Sequence, residues 1–349
     1  MTKIRVLVAE DSLTVRELLV DILESDPEIQ VIGSAKNGLE AVDLAVRLKP
    51  DLITMDVHMP LLDGFTATKE IMARAPTPII IVSSSASGQE VELSFNAMRA
   101  GALMVVPKPD NPHSPQFAGR QGELVTMVKA LSQVKVVRRL APRTPAAVPS
   151  RPRSREPGAS IGLVAVAAST GGPAALQRIL LDLPGDFAAP ILVVQHIAAG
   201  FISGLAEWLN ANSGLRVKVA EHGEVALEHT VFLAPEDRQM GIGGDGRLTV
   251  VDAPPIAGFR PSGTYLFESA AQAYGSGVAA VILTGMGSDG VDGLRSVKSS
   301  GGYVLAQDEQ TSVVYGMPRE AVAAGVVDAV VSLAEVAPRL SQLVGGGNR

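Results

Sequence analysis

The chain contains no cysteine among its 349 residues. Disulfides, thiol catalysis and thiolate metal sites are therefore excluded. Long apolar runs are missing too, and none approaches the roughly 18 residues of a membrane-spanning helix. The opening MTKIRVLVAEDS turns acidic too early for a secretory signal peptide. There is no excess of positive charge: the net charge is −6, which argues against a nucleic-acid-binding role for the whole chain. No internal repeat is visible. The expected location is cytoplasmic, with no nucleic-acid partner and no membrane insertion. What is present is a hydrophobic fraction of 46% with 19% charged residues, the composition of globular domains with substantial cores. The length favours two domains over one.

In the first half, IRVLVA at 4–9 reads as a short buried strand running into Glu10 and Asp11. Val15, Leu18, Leu19, Ile22 and Leu23 then follow the spacing of a helix with one apolar face, which Ser12 can cap. A strand near 29–35 and a helix near 38–48 come next. A strand over 51–55 delivers Asp56, one over 78–82 delivers Ser83, and an apolar piece at 103–106 leads to Lys108. Residues 121–137 read as a last helix. This βα alternation implies an α/β fold with a parallel sheet covered on both faces.

Open α/β sheets place ligands at the carboxyl ends of their strands. Glu10, Asp11, Asp56, Ser83 and Lys108 all fall at such ends. Clustered carboxylates repel one another unless a cation joins them, and an oxygen-rich set of this kind suits Mg²⁺. An aspartate beside Mg²⁺ and a lysine can accept a phosphoryl group.

The segments VAEDS, MDVHMPLLDG, VSS and KP, within residues 1 to about 125, resemble a response-regulator receiver domain. The resemblance implies a flavodoxin-like doubly wound sheet with Asp56 as the phosphorylated residue. It implies Glu10, Asp11, Asp56 and the backbone carbonyl of His58 as ligands of Mg²⁺. Ser83 would sense the phosphoryl group and Lys108 would contact it. Val105 departs from the aromatic residue often found there.

Residues 138–158, RRLAPRTPAAVPSRPRSREPG, change composition sharply and read as a semi-stiff tether. The six arginines have no interleaved aromatic residues, so a solvated linker is favoured over a nucleic-acid patch. The tail VGGGNR reads as frayed. The expected organisation is a receiver over 1–125, its last helix and the tether over 126–158, and a second domain over 159–349.

The second half centres on IGLVAVAASTGGPAAL at 161–176. A buried strand ends at Ser169-Thr170-Gly171-Gly172, and Pro173 opens a helix. A serine on a strand-to-helix turn, beside free backbone N–H groups, suits a nucleophile with an oxyanion pocket. The same turn also fits an N-cap serine, or a dinucleotide-binding turn, although G-x-G-x-x-G is absent. Further strands are expected at 190–195, 230–234 and 278–283. The first delivers His196, and the last leads to Asp289. His113, His222 and His229 sit among prolines or in polar turns, and Asp292 falls where a helix has begun. Ser169, His196 and Asp289 thus form a candidate nucleophile, base and orienting carboxylate.

The motifs ASTGGP, QH, LAEWLN, LAPEDR, RPS at 260–262, ILTGMGSDG and AQDEQTSVVYGMPREA resemble the catalytic domain of the chemotaxis protein-glutamate methylesterases. The resemblance implies a second α/β domain with a mostly parallel sheet. The triad would be Ser169, His196 and Asp289, with backbone N–H groups of Thr170 and Met286 near the oxyanion. It further implies a phosphorylation-activated serine esterase acting on glutamate methyl esters of methyl-accepting chemoreceptors, with receptor glutamine deamidation as a second activity. A chemotaxis histidine kinase would be the phosphodonor. Ala167 stands where glycine is favoured, Thr264 where aspartate is frequent, and Gln239 where histidine is frequent. The last two are expected in substrate-facing loops. The competing reading is a non-catalytic two-domain response regulator that only binds a receptor or signalling partner.

Overall fold

The computed structural model describes residues 3–83, 89–109, 117–134, 136 and 161–345. The expected tether at 138–158, His113 and the last four residues of the tail lie outside the described residues. The chain divides into two compact units, Met1–Pro145 and Ala146–Arg349.

In the first unit, strands and helices alternate: β1 (Ile4–Ala9), α1 (Leu13–Glu24), β2 (Ile29–Ala35), α2 (Gly38–Leu48), β3 (Leu52–Asp56), α3 (Gly64–Arg74), β4 (Ile79–Ser83), α4 (Gln89–Ala100), β5 (Met104–Pro107) and α5 (Phe117–Leu131). The strands pair in parallel in the order β2-β1-β3-β4-β5, the flavodoxin-like arrangement. Val6, Leu7 and Val8 in β1 and Ile79, Ile80 and Ile81 in β4 are fully buried. Both faces of a parallel sheet are covered, so these strands read as continuous apolar runs. α1 starts where Ser12, in extended backbone, accepts the Val15 N–H, and it buries Leu19, Ile22 and Leu23. α3 begins with glycine for a steric reason. A Cβ on Gly64 would lie 2.0 Å from the carbonyl oxygen of Asp56, so a larger residue would push the helix off the end of β3.

α5 runs over Phe117–Leu131, not 121–137. Its buried stripe is Leu124, Val128 and Leu131. The apolar pattern continues through Val134 and Val136, but none of residues 132–134 and 136 is buried.

The second unit contains β6 (Leu163–Ala168), α6 (Gly172–Asp182), β7 (Ile191–Gln195), α7 (Ile202–Ala211), β8 (Arg216–Val219), β9 (Thr230–Leu233), β10 (Gln239–Ile242), β11 (Leu248–Val251), α8 (Gly263–Tyr274), β12 (Val278–Ile282), α9 (Val291–Ser299), β13 (Tyr303–Gln307), α10 (Met317–Ala323), β14 (Ala329–Val331) and α11 (Leu333–Gly345). Seven strands form one sheet in the order β14-β13-β12-β6-β7-β9-β8, with every pair parallel. β10 and β11 form a separate antiparallel pair.

β6 sits between β12 and β7. From β6 the chain moves to one side through β7, and from β12 it moves to the other. Right-handed crossovers in opposite directions put the helices on opposite faces. Accordingly α6 packs with α7 and α11, while α8 packs with α9 and α9 with α10. The loops leaving the carboxyl ends of β6, β7 and β12 therefore diverge around a crevice. Among the described residues no helix is long and apolar enough to cross a membrane.

Candidate active site and acidic pocket

Ser169 follows β6 directly and precedes Gly171, whose φ of 79° lets the chain turn sharply into α6. Ser169 is held by its backbone: its N–H donates to the Thr284 carbonyl at 3.0 Å, and its carbonyl accepts from Gly172 N at 2.8 Å. Thr284 Oγ1 donates to the Thr170 carbonyl at 2.9 Å. The β12 end thus fastens two consecutive residues of the turn. The backbone N–H groups of Thr170 and Met286 have no hydrogen-bond partner among the described residues.

His196 is the first residue after β7, and its N–H donates to the Ala168 carbonyl at 2.9 Å. Its Nε2 lies 2.9 Å from Asp289 Oδ2, and its Nδ1 is buried without a partner among the described residues. Phe259 stacks on the imidazole, with ring centroids 4.5 Å apart and planes 12° apart. Serine and histidine come from adjacent strands because Ala168 and Gln195 are register partners. The Ser169 hydroxyl itself makes no hydrogen bond among the described residues.

Asp289 has a side chain with no solvent exposure. It sits at the amino end of α8, where Ser262 is the cap. Oδ1 accepts from Ser262 Oγ at 2.6 Å and from Thr264 N at 3.3 Å. Oδ2 accepts from Gly263 N at 2.6 Å as well as facing His196. Burial alone would push this carboxyl up; the hydrogen bonds from His196, Ser262 and Gly263 outweigh it and hold the group below the ordinary carboxylate value. The rival Asp292 lies within α9 and pairs with exposed Arg295 at 3.5 Å, away from His196.

The structure corrects one expectation. Gln239 and Thr264 are buried, not substrate-facing. Gln239 Oε1 accepts from Ser262 N at 2.9 Å, and its Nε2 donates to the carbonyls of Pro254 and Phe259 at 3.1 and 3.3 Å. It fixes the loop that carries both Phe259 and Ser262. Thr264 Oγ1 accepts from Gly290 N at 3.0 Å, which ties α8 to the residue after Asp289. Ala167 is fully buried and would lie 2.8 Å from a Cβ on Gly263, so this departure is absorbed in packing. Sequence reading gives no role to Gln195, Phe259 or Ser262, although Gln195 belongs to the QH pair and Phe259 and Ser262 flank or belong to the RPS segment.

In the first unit, Glu10, Asp11 and Asp56 bring one carboxylate oxygen each within 4.8 Å of one another. Lys108 Nζ lies 3.0 Å from Glu10 Oε1 and 2.9 Å from Asp56 Oδ2. His58 N donates to Asp56 Oδ1 at 3.3 Å. Burial raises the carboxyls of Glu10 and Asp56 above their ordinary values, even against the opposing pull of Lys108. Burial would lower Lys108, but its bonds to Glu10 and Asp56 carry it upward. Ser83 ends β4 fully buried, and its carbonyl accepts from Lys108 N at 2.8 Å. Val105 is a buried residue within β5.

Comparison with known proteins places both units. Residues 164–340 match the CheB methylesterase family. The chain belongs to that family. Residues 6–114 match the response regulator receiver domain. A Myxococcus xanthus (strain DK1622) protein named protein-glutamate methylesterase/protein-glutamine glutaminase 4 is 51% identical over 345 residues, 98% of each chain. A similarly named Anaeromyxobacter dehalogenans (strain 2CP-C) protein is 52% identical over 344 residues, 97% of this chain and 98% of the relative. The crystal structure of the Thermotoga maritima CheB methylesterase catalytic domain is similar to this chain with 40% identity and a TM-score of 0.52. It covers 53% of this chain and 100% of its own. As a CheB-type methylesterase with a receiver domain, the chain is a hydrolase of two-component chemotaxis signalling.

Proposed function

We propose that the chain is a phosphorylation-activated serine esterase that hydrolyses glutamate methyl esters of methyl-accepting chemoreceptors in the cytoplasm. Deamidation of receptor glutamines would be its second activity. The observation that carries this reading is the orientation of His196, with Nε2 on buried Asp289 and Nδ1 left without a partner. An ionised Asp289 accepts the Nε2 proton, so the lone pair is on Nδ1. Nδ1 is then the basic nitrogen on a residue whose strand neighbour ends at Ser169.

In the proposed reaction, Ser169 Oγ attacks the ester carbonyl and passes its proton to His196 Nδ1. The carbonyl oxygen becomes an oxyanion, for which the N–H groups of Thr170 and Met286 are donors. The imidazolium gives its proton to the methoxy oxygen, the C–O bond breaks, and methanol leaves. A water molecule then repeats the sequence on the acyl-serine, releasing glutamate and restoring Ser169. With glutamine, ammonia leaves in place of methanol. Asp289 stays ionised throughout and stabilises the imidazolium.

The receiver, at 1–125, is followed over 126–158 by the rest of its last helix, which ends at Leu131, and the tether, and then by the catalytic domain at 159–349. In the receiver, Asp56 would take a phosphoryl group from a chemotaxis histidine kinase. The donor set fits a hard divalent cation: Glu10, Asp11 and Asp56 each bring a carboxylate oxygen within 4.8 Å of the others, and the side chains of Glu10 and Asp56 are buried. Glu10, Asp11, Asp56 and the His58 carbonyl would hold Mg²⁺, which supplies charge neutralisation at the incoming phosphoryl oxygens. Lys108 contributes its own positive charge to the same oxygens, and Ser83 lies at the adjoining strand end. The decisive experiment is methanol release from methylated receptors by the wild-type chain and by Ser169→Ala.

A further inference from the structure

We propose that Gln195 is a positioning residue of the esterase site, whose side-chain amide sets the spacing between Ser169 and His196. The inference rests on the triad reading above and extends it to a residue that touches no substrate.

Gln195 is the last residue of β7 and is 2% exposed. Its Nε2 donates to the Ser169 carbonyl at 2.8 Å and to the His196 carbonyl at 2.8 Å. Both amide protons are therefore used, one on the nucleophile's backbone and one on the base's. Among the described residues no other side chain bonds to both. The Oε1 atom is buried and has no partner among the described residues. A buried amide with an unpaired oxygen is a poor way to gain stability. An apolar side chain would fill the space without that cost, so the amide's orientation is what the fold retains.

The surroundings are shaped to hold this orientation. A Cβ on Gly172 would lie 2.0 Å from Gln195 Oε1 and 2.8 Å from its Cδ. The residue that opens α6 therefore leaves room for the amide. Thr284 holds the Ser169 N–H and the Thr170 carbonyl from the β12 side. Gln195 holds the Ser169 carbonyl from the β7 side and is the grip that also reaches His196. Gly172 N also donates to the Ser169 carbonyl, so that carbonyl keeps a partner when Gln195 is replaced. Removal should shift the reacting groups relative to each other more than it weakens the fold.

The test uses the full chain and methanol release from methylated receptors, with circular dichroism and thermal midpoints as controls. Gln195→Met is expected to lower kcat about 100-fold, the scale of a misplacement near 1 Å, with KM within twofold and a thermal midpoint near wild type. Gln195→Glu should be worse, since a carboxylate would face two carbonyl oxygens. Gly172→Ala displaces the amide from the other side and serves if Gln195→Met folds poorly. Its kcat loss should be at least tenfold smaller in a Gln195→Ala background than in wild type, the signature of coupled positions. A kcat for Gln195→Met within threefold of wild type, or losses from Gly172→Ala and Gln195→Ala that simply multiply, would overturn the proposal. Ser169→Ala keeps the two readings apart: an active Ser169→Ala enzyme refutes the triad itself, whereas an inactive one beside a fully active Gln195→Met refutes the positioning role alone.

Discussion

Replacing Asp289 by asparagine isolates the charge of the orienting carboxylate from its shape. Two oxygens accept four hydrogen bonds here, and an amide offers only one oxygen. If its nitrogen took the Oδ2 position, it would face the Gly263 N–H, now 2.6 Å from that oxygen, donor to donor. That backbone group cannot turn away. The amide oxygen therefore takes the Oδ2 position and the nitrogen turns to Ser262 Oγ, which can accept in place of donating; the Thr264 N–H, 3.3 Å from Oδ1, gives up that bond and keeps Ser262 Oγ at 3.1 Å. His196 Nε2 keeps an acceptor, so the proton stays on Nε2 and the lone pair stays on Nδ1. What is lost is the negative charge opposite the imidazolium that forms in the transition state. A pair of unit charges about 4 Å apart at an effective dielectric near 20 interacts by about 4 kcal/mol, or about 10³ in rate at 1.36 kcal/mol per decade. Where the same change inverts the tautomer, the loss is nearer 10⁴.

Methanol release at saturating substrate should accordingly show kcat down about 10³-fold, with KM little changed. Asp289→Ala should cost more, because it also leaves the Ser262 hydroxyl and the Gly263 N–H without their acceptor. Asp289→Asn within tenfold of wild type would refute the reasoning: the charge would then not be stabilising the imidazolium.

Ser169→Ala and His196→Ala should each lower turnover by about 10⁴ to 10⁶, and the double variant no further, because triad members act as a unit; multiplying losses would separate their roles. A small-molecule phosphodonor should label wild type but not Asp56→Asn, and chelation should abolish labelling; equal label on Asp56→Asn would move the phosphorylation site. A fragment from about Gly158 onward should be more active than the unphosphorylated chain and indifferent to phosphodonor; a less active fragment would make the receiver an activator only. Asp289, with a lowered carboxyl, contributes stability that is present above the ordinary carboxylate pKa and lost as pH falls through its folded value. Glu10 and Asp56 are raised, so they cost stability at neutral pH that is recovered on acidification. Asp56→Asn should therefore raise the receiver's thermal midpoint at pH 7, by about 4 °C if the relief is on the order of 1 kcal/mol; a lowered midpoint in a calorimetric scan would contradict this.

The parts legible in the sequence are those written in local pattern. β6, β7, β9 and β12 are continuous apolar runs because helices cover both faces of a parallel sheet, and polar residues appear where these strands end. Ser169, His196 and Asp289 stand out for that reason. β8 carries Arg216 and Lys218 at the sheet edge, and β14 is only three residues long, so neither produces an apolar run. The β10–β11 pair likewise needs its tertiary partner to be recognised, whereas β13, YVLAQ, carries the same buried apolar run ending in a polar residue. The orientation of His196 was not legible at all. It depends on Asp289 reaching Nε2 from the β12 loop, and no spacing between positions 196 and 289 encodes which ring nitrogen is met.

Gln239 and Thr264 make the same point from the opposite side. Their positions beside recognisable motifs suggest contact with substrate, because loops after strands usually carry it. In the fold, Gln239 spends all three of its bonds on backbone groups of residues 254–262, and Thr264 bonds the residue after Asp289. Both act on the site through the loop that stacks Phe259 on His196 and presents Ser262 to Asp289. Gln239→Leu should therefore leave the buried Ser262 N–H without its acceptor, at about 1–3 kcal/mol, and release the loop's ties at the carbonyls of Pro254 and Phe259. Esterase turnover should fall while the KM for a methylated receptor stays within about twofold. A variant with unchanged turnover and an altered KM would return Gln239 to the substrate-binding surface, contrary to its burial and its bonds.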